Sequence, residues 1–127
     1  MSYYNNYRKE HSDYLNNLFN ISPNGIDYHN DYNIGFEFKE SFMKKEHKIF
    51  FKVPKKQVDL TDFFIFCLAS HEYFLVDKRD ILENFSFNTK EHNANIRINT
   101  IKRLSLYDTS DVFHLKGIID KIKEEDF

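Results

Sequence analysis

The residues Phe63-Phe64-Ile65-Phe66-Cys67-Leu68 form an unbroken apolar run between Thr61-Asp62 and Ala69-Ser70-His71. The run has strand length but lacks the apolar/polar alternation of a strand wetted on one side, which predicts a central strand covered on both faces. Such a strand needs a layer of structure above it and another below. A chain of 127 residues can supply one core of that kind and is too short for two ordinary ones. Glycine is confined to positions 25, 35 and 117 and proline to 23 and 54, so nothing resembles a linker and residues 1–127 are expected to form a single domain. With 14 Phe, 8 Tyr and no Trp, its core must be built from rings, Ile and Leu.

Around this strand the periodicities predict an α/β (α+β) fold, a mixed central sheet flanked by helices. Tyr3, Tyr4, Tyr7, Tyr14, Leu15, Leu18 and Phe19 recur at spacings of 3 and 4, as in an amphipathic opening helix ending near Asn20, and Ser22-Pro23-Asn24-Gly25 breaks it. Gly25 to Tyr28 is a brief strand candidate, Asp31 to Asn33 a turn, and Ile34 to Lys39 a strand of period 2. His47 to Val53 reads as an aromatic strand stopped by Pro54, and Lys55 to Asp62 as a short helix. Glu72 to Val76 follows the apolar run so closely that the two should form an antiparallel hairpin. Asp77 can cap a short helix running to Phe85, while Ile96, Ile98 and Ile101 suggest an outer strand. From Ser110 to Glu125 a closing helix is expected, with Asp111 near its start and Val112, Leu115, Ile118, Ile119 and Ile122 on one stripe.

Several function classes are disfavoured. The lone Cys67 excludes an intrachain disulfide, and its apolar setting makes it a poor nucleophile. The histidines at 11, 29, 47, 71, 92 and 114 lack zinc spacing, although His29 lies near Asp27. There is no glycine-rich phosphate loop and no Gly-x-Ser-x-Gly elbow. No stretch reaches the roughly 20 apolar residues of a membrane helix, and the polar start lacks the apolar run of a secretory signal, so a cytoplasmic location without membrane contact is expected. With 20 acidic and 18 basic residues the net charge is -2, and a polyanion would have to be met by a local patch.

Chemistry concentrates around the strand Ile34 to Lys39. Glu37 and Lys39 are two residues apart and share one face, and Asp27 lies on what should be the neighbouring strand. Carboxylates converging from adjacent strands can hold a hard divalent cation through oxygen ligands. A lysine on the same side can orient water or offset charge on a scissile phosphate.

With Ile26-Asp27, then Gly35-Phe36-Glu37-Phe38-Lys39-Glu40-Ser41, then strand, short helix and the strand Phe63 to Leu68, the chain resembles the PD-(D/E)xK nuclease superfamily over about half its length. That resemblance implies a restriction endonuclease-like core of helix, three strands, helix and strand. It implies a nuclease in which Asp27 and Glu37 bind Mg²⁺ or Mn²⁺, the Phe38 carbonyl joins them, and Lys39 assists the attacking water. Asp31 competes with Asp27 as the first acid, and Glu10 on the opening helix is a candidate extra acid. The family's Pro-Asp dipeptide is missing, since Gly25-Ile26 precedes Asp27, and the middle helix is short.

Lysines 39, 44, 45, 48, 52, 55 and 56 face only Glu40 and Glu46, a local charge of +5 directly after the motif. Lys44, Lys45, Lys48, Lys52, Lys55 and Lys56 are thus candidates to grip nucleic acid, with DNA favoured over RNA. A solvated hairpin guarded by lysine is the plainer reading of the same residues. Arg97, Lys102 and Arg103 form a weaker basic group, for which a solvated surface is preferred. A chain this small is expected to act as a homodimer if it both recognises and cleaves a duplex. The rival expectation is a noncatalytic interaction module, viral or from a mobile element, that binds a protein or nucleic acid through its aromatic and lysine-rich faces; the abundance of Asn, Lys, Ile, Phe and Tyr matches AT-rich coding.

Overall fold

The computed structural model describes residues 13–19, 27–41, 50–68, 72–87, 90 and 92–124. Its elements run α1 (13–19), β1 (Tyr28–His29), β2 (Gly35–Ser41), β3 (Phe50–Pro54), α2 (Lys55–Leu60), β4 (Phe63–Leu68), β5 (Glu72–Asp77), α3 (Lys78–Asn84), β6 (Asn93–Arg97), α4 (Ile98–Leu104), β7 (Tyr107–Thr109) and α5 (Val112–Ile119). Five strands form a sheet in the order β1-β2-β4-β5-β7, and β3 pairs with β6 in a separate two-stranded ribbon. Within the larger sheet only β2 and β4 are parallel, so the sheet is mixed and the fold is α/β, as expected.

The apolar run is the middle strand, β4, and its six residues are at most 4% exposed. Its odd-numbered side chains, Phe63, Ile65 and Cys67, join Phe36 and Phe38 of β2 against Leu15 and Phe19 of α1 and Leu115 and Ile119 of α5. Its even-numbered side chains, Phe64, Phe66 and Leu68, meet Phe51 and Val53 of β3, Ala94 and Ile96 of β6, and Val58, Ile81 and Ile98 from the neighbouring helices. Each of these large side chains contributes roughly 1.5–3 kcal/mol when removed from water. A parallel pair such as β2 and β4 requires a crossover. Here β3 and α2 supply it and cover the second face of the sheet.

Local chemistry explains the turns. Asn33, with φ 62, occupies the left-handed region that Asn tolerates, and Asp77 caps α3 by accepting the Arg79 N–H at 2.8 Å. Asp111 likewise accepts from Phe113 and His114 at the start of α5. Buried Asn30 ties the β1–β2 turn to the end of α5. Its Nδ2 donates to the carbonyls of Ile119 and Ile122, both at 2.8 Å, and its Oδ1 accepts from Tyr32 and Ile34, both at 3.0 Å. Both donors and both acceptor positions of the amide are thereby used.

The structure corrects the expected outer strand at Ile96, Ile98 and Ile101. β6 ends at Arg97, and Ile98 and Ile101 lie on α4, where a spacing of three puts both on the buried face. α5 ends at Ile119 rather than near Glu125, and the short edge strand β7 has no counterpart in the sequence expectations. The opening helix is seen over 13–19; its expected earlier turns and the segment His47 to Ile49 lie outside the described residues. No helix among the described residues is long and apolar enough to cross a membrane. Asn30→Ala should destabilise the fold by about 2–4 kcal/mol, whereas Asn84→Ala, whose one bond to the Asp80 carbonyl is exposed, should change stability by less than about 0.5 kcal/mol. Urea unfolding of the two variants measures this, and equal midpoints would remove Asn30 as the tie between turn and helix.

Candidate functional site

β2 carries the site, and its placement begins at Gly35. The Gly35 N–H donates to Asp62 Oδ2 at 2.8 Å, and its carbonyl accepts from Thr61 Oγ1 and the Asp62 N–H, each at 3.0 Å. These bonds fix the start of β2 beside the start of β4. Phe36 then stacks on Phe63 with ring centroids 5.6 Å apart, and Phe38 packs on Phe19 at 4.9 Å. With these rings committed to the α1/α5 side, alternation sends Gly35, Glu37, Lys39 and Ser41 to the face that the ribbon covers.

Asp27 lies one residue before β1, and continuing the register Tyr28↔Phe36 places it opposite Glu37. The Asp27 N–H donates to Glu37 Oε2 at 3.3 Å, and the Phe38 N–H donates to Asp27 Oδ2 at 2.9 Å. In an extended strand a residue's N–H and C=O leave the same edge, so the Phe38 carbonyl faces the edge at which Asp27 sits. Three oxygen donors and Lys39 therefore border one stretch of β2.

The electrostatics follow from burial. Glu37 is only 4% exposed, and desolvation first, then the charge of Asp27, push its carboxyl up to about 7. Burial also raises Asp27, against the opposing pull of the Phe38 N–H and of Lys39. The two carboxyl groups act on each other, and the neighbouring Asp27 adds to the rise of Glu37. Desolvation lowers the Lys39 ammonium, partly offset by Glu37 and Asp27. Burial thus raises both acids, and the adjacent ammonium, itself lowered, opposes this only in part.

Asp31 does not join this group. It is exposed in the β1–β2 turn, where its charge acts on Tyr28. His29 is exposed on β1. Glu10, Lys44, Lys45 and Lys48 lie outside the described residues. Lys52 and Lys56 are exposed on β3 and α2, and Lys55 pairs with Asp59. Among the described residues no third His, Cys, Asp or Glu completes a metal cluster with Asp27 and Glu37. Thr61 and Asp62 position the site strand but escaped notice in the sequence, because their partner lies 26 and 27 residues away. Arg97, set aside with the weaker basic group, is on the strand paired with that of Lys52.

Comparison with family models, with curated proteins and with solved structures finds no match to the chain.

The raised carboxyl has a pH consequence of definite sign. Glu37 binds its proton more tightly in the folded chain (about 7) than at its ordinary value of 4.5. Its favourable contribution is therefore complete below pH 4.5 and is lost as pH rises through about 7. Glu37→Gln, unable to ionise, should flatten this part of the stability profile and exceed wild type at pH 8 by about 2–3 kcal/mol. Thermal melts from pH 4.5 to 8 test this, and parallel profiles for the two proteins would contradict it.

Proposed function

We propose that the chain is a metal-dependent nuclease of the PD-(D/E)xK type, hydrolysing phosphodiester bonds of a nucleic acid. The observation that carries this reading is the convergence of Asp27, Glu37 and Lys39 along one stretch of β2, the two acids joined through an Asp27 N–H bond and each affected by the charge of Lys39. Two carboxylates are enough for Mg²⁺, which commonly keeps several waters and takes its remaining ligands from substrate phosphate. The donor set fits: every candidate ligand is oxygen, and the acid pair needs positive charge to ionise fully. Asp27 and Glu37 would hold Mg²⁺ or Mn²⁺, with the Phe38 carbonyl beside them. The ion, when bound, supplies charge neutralisation at the scissile phosphate.

The residues' own contributions follow from their surroundings. Asp27 is held in place by the Phe38 N–H, so its second oxygen is oriented by the strand rather than by a flexible side chain. Glu37 gives up its proton on ionising, which couples occupancy of the site to pH. Lys39, with its ammonium lowered by burial, hydrogen-bonds the attacking water and offsets charge on the phosphate. In this reading the enzyme works in the cytoplasm, as a homodimer that presents two sites to a duplex.

The recession of Glu37, 4% exposed, favours a second reading, a noncatalytic module that binds a protein or nucleic acid. Cleavage of plasmid, junction, single-stranded DNA and RNA substrates with Mg²⁺ or Mn²⁺ separates the two. Glu37→Ala and Lys39→Ala should each lower the rate by about 100-fold or more, and equal rates for the variants and wild type would sink the nuclease.

A further inference from the structure

We propose that the β3–β6 ribbon enters the major groove of duplex DNA, with Lys52, Asn95 and Arg97 reading base edges. The ribbon is a separate two-stranded sheet with two unlike faces. Phe51, Val53, Ala94 and Ile96 point inward and are at most 3% exposed. Alternation therefore turns Lys52, Asn95 and Arg97 outward, and all three are exposed. Register places Lys52 directly across from Asn95, with Arg97 two residues further along β6. No acidic residue occurs on either strand.

Charge sorts with the ribbon. β3 and α2 carry Lys52, Lys55 and Lys56 against Asp59, and β6 and α4 carry Arg97, Lys102 and Arg103 against no acid. These four elements hold a net +5, in a chain whose total is -2. Two basic groups that are far apart in sequence become one surface because β3 pairs with β6. This local field suits a polyanion that the molecule as a whole does not attract.

Geometry selects the duplex and the groove. Two strands about 4.8 Å apart fit a major groove roughly 12 Å wide. The strands are antiparallel and each runs straight into its helix, so α2 and α4 leave from opposite ends of the ribbon. Exposed Lys56 beyond one end and Lys102 and Arg103 beyond the other can then meet phosphates further along the groove. Arg and Lys are donors suited to guanine, and Asn matches the paired donor and acceptor of adenine. The major groove of A-form RNA is too deep and narrow for such a ribbon. This interaction is independent of the nuclease reading, since none of its residues belongs to the acid pair.

Fluorescence anisotropy with the full chain in EDTA tests it without cleavage. The probes are a mixed-sequence 20-base-pair DNA duplex, the same sequence as RNA duplex, and one DNA strand alone. Duplex DNA should bind at least tenfold more tightly than either alternative. Arg97→Ala and Asn95→Ala should each weaken it by about tenfold, and Arg97→Lys should fail to restore Arg97 binding because the fork is lost. Lys56→Ala should lower the salt dependence by about one phosphate contact, while Lys121→Ala, just beyond α5 on the other side of the sheet, should have no effect. Unchanged circular dichroism melts confirm that the variants are folded. Preference for RNA or single strands, absence of duplex binding, or an Arg97→Ala protein that binds like wild type would each overturn the proposal. Duplex binding with these losses but without cleavage in Mg²⁺ would support the ribbon and overturn only the nuclease.

Discussion

The burial of β4 on both faces is the constraint from which the rest of the structure follows. Phe63, Ile65 and Cys67 need one apolar layer, and Phe64, Phe66 and Leu68 need another. α1 and α5 provide the first. The second is assembled from the chain that must in any case cross from β2 to its parallel neighbour β4, and it is completed by β6 and α4 from much later in the sequence. The ribbon is therefore a structural lid required by the rings beneath it. Because Glu37 and Lys39 project from β2 toward the same side as Phe64 and Phe66, the layer that dries the rings also dries the charged groups.

That shared layer accounts for the electrostatics of the acid pair. A carboxyl in water gains little by sitting near another; in a place made dry for the sake of Phe64 and Phe66 it is raised by desolvation first and by its neighbour second. Lys39, whose charge acts on both acids, is depressed by the same burial and cannot fully compensate. Three ionisable groups with shifted affinities along two consecutive turns of the pleat are an unfavourable arrangement for stability alone. Shifted groups of this kind gather at functional sites and also occur in structural ion-pair networks.

Much of this was legible in residue spacing. The continuous run at 63–68, the hairpin to β5, the Asp77 cap and the apolar stripe of α5 all follow from local patterns, and so does the shared face of Glu37 and Lys39. What was not legible depends on distant partners. Val53 and Phe51 read as one more strand of the main sheet, and nothing local reveals that β3 instead pairs with β6, some 40 residues later. Ile98 continues the alternation of Ala94 and Ile96, so the sequence offers no mark where strand becomes helix; only the next spacing, to Ile101, is helical. Asn30 looks like a turn residue until α5 brings two carbonyls to it. For the site, the expectation that Asp27 lies near Glu37 rested on strand order, and the register sets Asp27 rather than Asp31 beside Glu37.

The outer face of the ribbon is free of the demands that shaped its inner face. Once Phe51, Val53, Ala94 and Ile96 are given to the core, the alternate positions need only be soluble, and a mixture of both signs would serve an acidic molecule best. They carry instead Lys52, Asn95 and Arg97, with further bases on the helix after each strand and one acid, Asp59, which pairs with Lys55. Edge protection explains a lysine on a strand, but it does not explain an arginine and an asparagine beside it, nor basic residues continuing onto both helices. β3 also packs against β2, so the ribbon lies over the strand that carries Glu37.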